Sequence, residues 1–162
     1  STLSSSSAAS DVYKRQVKNL HGQKNVYYQV NATYFSALGE SEQKLLLARA
    51  IQIFMPGKPQ VWYLDLFAGK NDHEAVKEAG EGGHKEINRT NLTDIQIRQA
   101  LQTDVVQKQL ELLRFRSTSR AFTEDADIQI QSDGRKLMIR WSNSAAAAQL
   151  DVDFETGSFV IS

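Results

Sequence analysis

The run formed by residues 54–72 constrains the fold of this chain more than any other segment. It reads FMPGKPQVWYLDLFAGKND. Pro56 cannot continue a helix, and Gly57 permits a sharp turn. Residues 61–67 are then almost continuously apolar, without the alternation of a half-exposed strand. The run therefore predicts a helix end, a tight turn and a strand buried on both faces of a parallel sheet.

A strand of this kind fits the closing part of a (β/α)₈ barrel. Such a barrel needs about 250 residues. A chain of 162 residues cannot supply eight strands and eight helices, so we expect only the last part of a barrel. Residues 1–16 are serine-rich, aperiodic and begin without Met, and we interpret them as a disordered or non-native leader.

Helix signals flank the predicted strand. Ser41 is a suitable N-cap for a helix that ends near Phe54, and we expect Lys44, Arg49 and Gln52 on its solvent face. Residues 68–93 are glycine-rich, charged and without a period, which predicts a long loop of functional interest.

A second helical region follows that loop. Thr93 and Gln96 form a capping box, which opens helical sequence that runs to about Arg116. A break is expected near residues 103–104. Val106 and Leu110 are among the residues expected on its core-facing side.

The chain ends in a region with a period of two, which predicts short antiparallel strands. These strands cover residues 127–131, 136–141, 149–154 and 158–161, with a turn at residues 133–134. We expect one buried face on the first hairpin, formed by Ile128, Ile130, Leu137, Ile139 and Trp141. The predicted fold class is therefore α/β. Residues 17–122 form the end of a barrel, and residues 123–162 form a C-terminal β domain.

Composition excludes several classes of function. Lys and Arg together number 19, as do Asp and Glu, so no net charge attracts nucleic acid or an anionic membrane. The sequence has no cysteine, and His21, His73 and His84 lack metal-ligand spacing, so we expect no metal site. No apolar stretch approaches the 18 residues of a membrane span. We expect a cytoplasmic protein.

Several motifs together resemble the carboxy-terminal part of sucrose phosphorylases, which are glycosyltransferases of the alpha-amylase superfamily, glycoside hydrolase family 13. The similarity covers residues 25–122 in order, through NVYYQVNATYFSALG, LLLARAIQIFMPGKPQVWYLDLFAGKND, EINR and VVQKQLELLRFR. It implies a (β/α)₈ barrel with a small β domain after it. It also implies retaining glucosyl transfer from sucrose to inorganic phosphate, which gives glucose 1-phosphate and fructose.

Other functions stay open. Related phosphorylases of sucrose 6-phosphate, glucosylglycerol or glucosylglycerate are alternatives within the family. A noncatalytic module that folds alone is the alternative from another class. The resemblance implies a small sugar and phosphate as binding partners and no cofactor, because inorganic phosphate is a substrate. The oligomeric state is open, with a homodimer as one alternative.

The resemblance also says which residues take part. The family's Asp nucleophile and Glu acid–base lie upstream, so we expect no catalytic residue in this chain and no activity from it alone. Arg89, in EINR, matches the arginine that binds a hydroxyl of the glucosyl ring, which suits its fork of donors. Gln29 matches a glutamine on the acceptor side, and Tyr28 shapes that entrance.

Four departures from the family pattern surround the acceptor. Val26 stands where many sucrose phosphorylases have an aspartate, and Thr90 stands where a histidine is usual. Asp65 replaces a usual glycine and adds a carboxylate near the expected pocket, so we include it among the substrate-binding candidates. His84 and Lys85 occupy a stretch that often has a single arginine. A changed acceptor is therefore as plausible as sucrose itself.

Overall fold

The computed structural model describes residues 15–20, 23–81 and 83–162, and the side chains of residues 31–81 and 83–162. The first described element is an antiparallel hairpin of β1 (Arg15–Leu20) and β2 (Gln23–Val30). Residues 1–14 of the predicted leader lie outside the described residues, and its last two residues belong to β1.

Six α-helices and one 3₁₀ helix follow in the described part of the chain. They are α1 (Tyr34–Ala37), α2 (Glu42–Phe54), α3 (Tyr63–Leu66), α4 (His73–Ala79), the 3₁₀ helix Gly83–Asn88, α5 (Asp94–Ala100) and α6 (Asp104–Thr118). Within the described residues, none of these helices has the length and apolar character needed to cross a membrane.

The predicted helix signals are confirmed. Ser41 caps α2, and its Oγ accepts from the Lys44 N–H at 3.3 Å. Thr93 and Gln96 form both hydrogen bonds of the capping box at the start of α5. The break near residue 103 is real, because α5 and α6 are separate helices. Local hydrogen bonding therefore determines these helix starts.

The prediction of a buried parallel strand at residues 61–67 is wrong. This segment forms the one-turn helix α3, and the Trp62 side chain is 56% exposed. Its backbone is satisfied locally, because the Leu66 N–H donates to the Trp62 carbonyl at 3.0 Å. No strand in the described part of the chain pairs with this segment, and a backbone without a sheet partner must close its own hydrogen bonds.

The long loop predicted for residues 68–93 is also wrong in part, because it contains α4 and the 3₁₀ helix. The Asp72 side chain caps α4 by accepting from the Ala75 N–H at 3.0 Å. Charged residues without an apolar period led to the prediction of a loop here. A charged surface helix has few apolar residues, and only Val76 of α4 is buried.

The carboxy-terminal strands are close to those predicted. They are β3 (Asp127–Ser132), β4 (Lys136–Ser142), β5 (Ala147–Asp153) and β6 (Ser158–Ile161), and they form an antiparallel sheet in chain order. Ile130 pairs with Ile139, as expected, yet Ile130 is 48% exposed. It lies on the edge strand β3, whereas α2 packs on β4, β5 and β6.

One apolar core joins the sheet to α2 and α6. Its fully buried members include Ile53, Phe54, Ile139 and Leu150. Partly buried Phe122, where we predicted a domain boundary, packs against this core. The division into two domains stays a prediction, since the helices and the sheet share this core.

Two side chains bind the end of α2. The Trp141 Nε1–H donates to the Phe54 carbonyl at 2.7 Å. The Arg116 guanidinium donates to the Ile53 carbonyl at 2.9 Å and lies 4.6 Å from the centre of the Trp141 ring. The last carbonyls of a helix lack partners within the helix, so these contacts stabilise the point where α2 ends.

Candidate functional site

The candidate site is built from three segments of the chain, residues 31–36, 63–72 and 83–90. The first continues directly from β2, the second contains α3 and the AGKND sequence, and the third contains the 3₁₀ helix and Arg89. Side chains of the second and third segments bind the backbone of the first. Residues that are far apart in the sequence are thereby brought together.

The second segment makes the closest contacts with the first. The Thr33 N–H donates to Asn71 Oδ1 at 2.8 Å, and the Tyr34 N–H donates to Asp65 Oδ1 at 2.8 Å. In the opposite direction, the Asn71 N–H donates to Ser36 Oγ at 2.8 Å. The N–H groups of Thr33 and Tyr34 lie at the start of the short helix α1, where backbone donors lack partners within the helix.

The third segment is held by contacts on both sides of Arg89. Before it, Asn88 Nδ2 donates to the Ala32 carbonyl at 3.4 Å. After it, the Thr90 hydroxyl donates to Asp72 Oδ2 at 3.1 Å, and the Tyr63 hydroxyl donates to the Thr90 carbonyl. The backbone around Arg89 is therefore bound to the segment after β2 and to the segment that contains α3.

The Arg89 side chain itself is on the surface and is 56% exposed. Its Nη1 lies 3.7 Å from Glu86 Oε1, a distance too long for a strong ion pair. The guanidinium can therefore donate to a bound molecule without first breaking a buried interaction. The role of Arg89 in binding a sugar hydroxyl stays a prediction.

Asp65 lies deeper than Arg89 and is 8% exposed. Burial raises the pKa of Asp65, whereas the Tyr34 N–H and the positive charge of Arg49 both act to lower it. Because Oδ1 already accepts from Tyr34, the carboxylate is a structural partner of residues 31–36. The predicted contact of Asp65 with substrate stays a prediction.

Arg49 is the polar residue that the sequence analysis misplaced. We predicted it on the solvent face of α2, but it is 1% exposed. Its Nε donates to Gln109 Oε1 at 3.0 Å, and Nη1 donates to Gln52 Oε1. Arg49 lies four residues after Leu45 and four before Ile53, which are both buried. Residues four positions apart lie on the same face of a helix, so this spacing was the sequence signal for the burial of Arg49.

The surroundings of Arg49 are polar but incompletely paired. Burial lowers the pKa of Arg49, and the negative charge of Asp65 opposes this effect. Its Nη2 is buried and has no hydrogen-bond partner among the described residues. Gln109 also donates to the Leu66 carbonyl at 2.9 Å, so it joins α6 to both Arg49 and the end of α3.

Tyr28, Gln29 and Val26 belong to β2, where Gln29 pairs with Gln16 of β1. Their side chains lie outside the described residues, and so does His21. The backbone of β2 nevertheless leads directly into residues 31–36. Among the described residues, no group of three or more histidines and carboxylates could hold a metal ion.

The sequence of this chain is similar to those of known proteins. No protein-family model matches the sequence. The chain is 53% identical over 149 residues to a sucrose 6(F)-phosphate phosphorylase from Ilumatobacter coccineus, a match that covers 90% of this chain. It is 40% identical over 134 residues to a sucrose phosphorylase from Agrobacterium vitis. This chain belongs to the sucrose phosphorylase-like family.

The fold supports the same family. A crystal structure of a sucrose 6F-phosphate phosphorylase from Thermoanaerobacter thermosaccharolyticum matches 98% of this chain, with a TM-score of 0.80 and 33% identity. A glucosylglycerol phosphorylase from Marinobacter adhaerens is also similar, with 35% identity over 146 residues. The chain spans 28% of the Ilumatobacter relative and 34% of the solved one, and it corresponds to a C-terminal portion of the family.

Proposed function

We propose that this chain is the carboxy-terminal part of a glycoside phosphorylase that transfers a glucosyl group to inorganic phosphate with retention. The supporting observation is the position of Arg89, which has an accessible guanidinium and lies between two residues, Asn88 and Thr90, whose side chains bind neighbouring segments. The matching arginine of the family binds the glucosyl ring. The donor is sucrose or sucrose 6-phosphate, and the products are glucose 1-phosphate and fructose or its phosphate.

Retaining transfer uses two carboxylates about 5 Å apart across the anomeric carbon. In the family, these residues precede the part to which this chain corresponds, on strands of a (β/α)₈ barrel. Arg89 would bind the glucosyl side, while Gln29 and Tyr28 would line the acceptor side. Asp65 would act on the acceptor side through its contact with Tyr34. The proposal includes a cytoplasmic location and leaves a homodimer open.

The glucosyl donor has two candidates, sucrose 6-phosphate and sucrose. The identity of 53% to a sucrose 6(F)-phosphate phosphorylase favours a phosphorylated fructose as the leaving group. Sucrose is the second candidate, supported by the identity of 40% to a sucrose phosphorylase. Both reactions produce glucose 1-phosphate, so one assay distinguishes them by the donor that it consumes.

A chimeric enzyme tests the proposal. This chain replaces the matched part of the Ilumatobacter relative, and phosphate-dependent release of glucose 1-phosphate is measured. Sucrose, sucrose 6-phosphate, glucosylglycerol and glucosylglycerate are offered separately. We expect release from sucrose 6-phosphate or sucrose. The truncated relative without this chain is the control, and we expect it to be inactive.

Arg89→Lys provides the matched variant, because lysine keeps the charge and loses the planar fork of donors. We expect kcat/KM for the preferred donor to fall by about tenfold or more, as for a lost hydrogen bond to a charged group. Absence of turnover with all four donors by a folded chimera would contradict the proposed function.

A further inference from the structure

We propose that Thr90 is a positioning residue for Arg89, held in place by Tyr63 and Asp72. The inference rests on the proposed sugar-binding role of Arg89. We call Thr90, Tyr63 and Asp72 the Thr90 clamp. Within the clamp, Thr90 directly follows Arg89 in the sequence.

Two contacts approach Thr90 through different groups. The Thr90 hydroxyl donates to Asp72 Oδ2 at 3.1 Å. The Thr90 carbonyl accepts from the Tyr63 hydroxyl. One contact fixes the side chain, and the other fixes the peptide unit between Thr90 and Asn91. Because hydrogen bonds are directional, the two together restrict rotation as well as translation of the backbone.

Asp72 is a firm partner because it is bound at three points. Its N–H donates to the Ile87 carbonyl at 2.8 Å, and its Oδ1 accepts from the Ala75 N–H at 3.0 Å. The hydrogen bond from Ala75, followed by that from Thr90, lowers the pKa of Asp72, so the carboxylate stays ionised near neutral pH. Residues 72–90 are thereby closed into a loop, with Arg89 at its closing end.

The side chain of Arg89 adds little restraint of its own. Its contact with Glu86 is 3.7 Å long and exposed, whereas its backbone N–H donates to the Glu86 carbonyl at 3.2 Å. The backbone therefore sets the point from which the guanidinium reaches a bound sugar. A displacement of about 1 Å from productive geometry can cost about a hundredfold in rate, so the restraint on the backbone matters for catalysis.

The position of Arg89 affects one side of the reaction. In the proposed cycle, Arg89 contacts the glucosyl ring, which is present both in the sugar donor and in glucose 1-phosphate. Loss of the Thr90 clamp should therefore weaken turnover of both glucosyl donors by the same factor. Binding of the acceptor should be unchanged, because the acceptor lies on the opposite side of the anomeric carbon.

The activity test uses the chimeric enzyme with Thr90→Val, which removes the hydroxyl at nearly constant volume. Thr90→Ser, which keeps the hydroxyl, is its matched control, and Tyr63→Phe removes the other contact. We expect Thr90→Val and Tyr63→Phe each to lower kcat/KM for both donors by about twofold to tenfold. The acceptor KM should not change, and Thr90→Ser should retain most of the wild-type kcat/KM.

A double-mutant cycle separates positioning from a general loss of structure. In an Arg89→Ala background, Thr90→Val should cause no further loss of kcat/KM, because there is no guanidinium left to position. Equal losses with and without Arg89 would overturn the inference. So would a loss for Thr90→Val that disappears when the rate is expressed per folded enzyme, because that result would indicate less folded protein.

A second measurement does not depend on activity. Amide hydrogen exchange on the 162-residue chain should be faster at Arg89, whose N–H donates to the Glu86 carbonyl, in Thr90→Val than in the wild type or Thr90→Ser. Amides of β4 provide the internal reference. An inactive wild-type chimera with this exchange pattern would reject the proposed function and retain the clamp. Unchanged exchange at Arg89 would overturn the clamp even if the chimera is active.

Discussion

The core region, formed by α2 and residues 103–162, and the candidate-site region, formed by residues 31–36, 63–72 and 83–90, are held in place by different interactions. In the first, the sheet and two helices share an apolar core with fully buried residues such as Ile139 and Leu150. In the second, Asp65, Asn71 and Asn88 bind the backbone of a neighbouring segment. Apolar packing is strong but non-directional, whereas hydrogen bonds are directional and individually weaker.

This difference indicates that apolar packing mainly stabilises the fold, whereas polar contacts mainly position the residues of the candidate site. Substitutions in the apolar core should change the free energy of unfolding most. Substitutions among the polar contacts should cost less stability, but they should move the residues that face substrate. Local opening should also be easier in the candidate-site region, because fewer large apolar side chains are buried there.

The largest effect is expected from Trp141→Ala. The change empties a buried aromatic position and removes the donor to the Phe54 carbonyl. We expect the free energy of unfolding to fall by about 3–5 kcal/mol, measured by urea denaturation. Val160→Ala, at a side chain that is 64% exposed, should change it by less than about 0.5 kcal/mol. Equal effects of the two variants would contradict the conclusion that burial in the apolar core determines stability.

Gln109→Leu tests the junction between the two regions. It leaves the Arg49 Nε and the Leu66 carbonyl without their present partners. We expect destabilisation of about 1–3 kcal/mol, because an unpaired polar group then remains buried. The same measurement on Gln102→Leu, at an exposed position, provides the control. A neutral result would show that solvent reaches Arg49.

Asn71→Leu addresses the polar contacts alone. The Thr33 N–H then loses its acceptor, and the free energy of unfolding should fall by about 1 kcal/mol. Exchange of the Thr33 amide should accelerate, as measured by NMR. Asn71→Asp keeps an acceptor at the same place and should preserve protection. If both variants exchange alike, the side chain of Asn71 does not hold residues 31–36.

The smallest effect is a pH dependence at Asp72. Hydrogen bonds lower its pKa in the folded chain below the ordinary value of 3.8, so the unfolded chain binds more protons between these two pKa values. The contribution of Asp72 to stability is therefore present above pH 3.8 and is lost as the pH falls through the folded pKa.

Comparison of wild type with Asp72→Asn isolates this contribution, because asparagine can still cap α4. The difference between their thermal midpoints should shrink as the pH falls below 3.8. A difference that stays constant or grows on acidification would contradict the assignment.

The sequence predicted those parts of the fold that depend on nearby residues. Ser41 and Thr93 cap their helices through residues three positions away, and the strands after Phe122 show a period of two. The prediction of a strand at residues 61–67 was wrong because a strand depends on sheet partners, and the described part of the chain provides none there. The prediction that Arg49 faces solvent was wrong because it relied on the residue type, whereas the position of Arg49 in α2 indicated burial.

The candidate site was only partly predictable. The family resemblance named Arg89 and Asp65, and the structure places Asp65 and Asn88, the neighbour of Arg89, in contact with residues 31–36. The contact between Thr90 and Asp72 had no local signal, because it joins residues 18 positions apart. The roles of Tyr28 and Gln29 stay predictions, as do those of Arg89 and Asp65.

The binding of the end of α2 by Arg116 and Trp141 has a consequence for recombination between homologous chains. The donors of these hydrogen bonds lie on α6 and β4, on opposite sides of Phe122, and their acceptors lie on α2. A crossover at Phe122 would combine a Trp141 from one parent with a helix end that evolved beside another. Residues 41–162 are therefore best inherited as a single block.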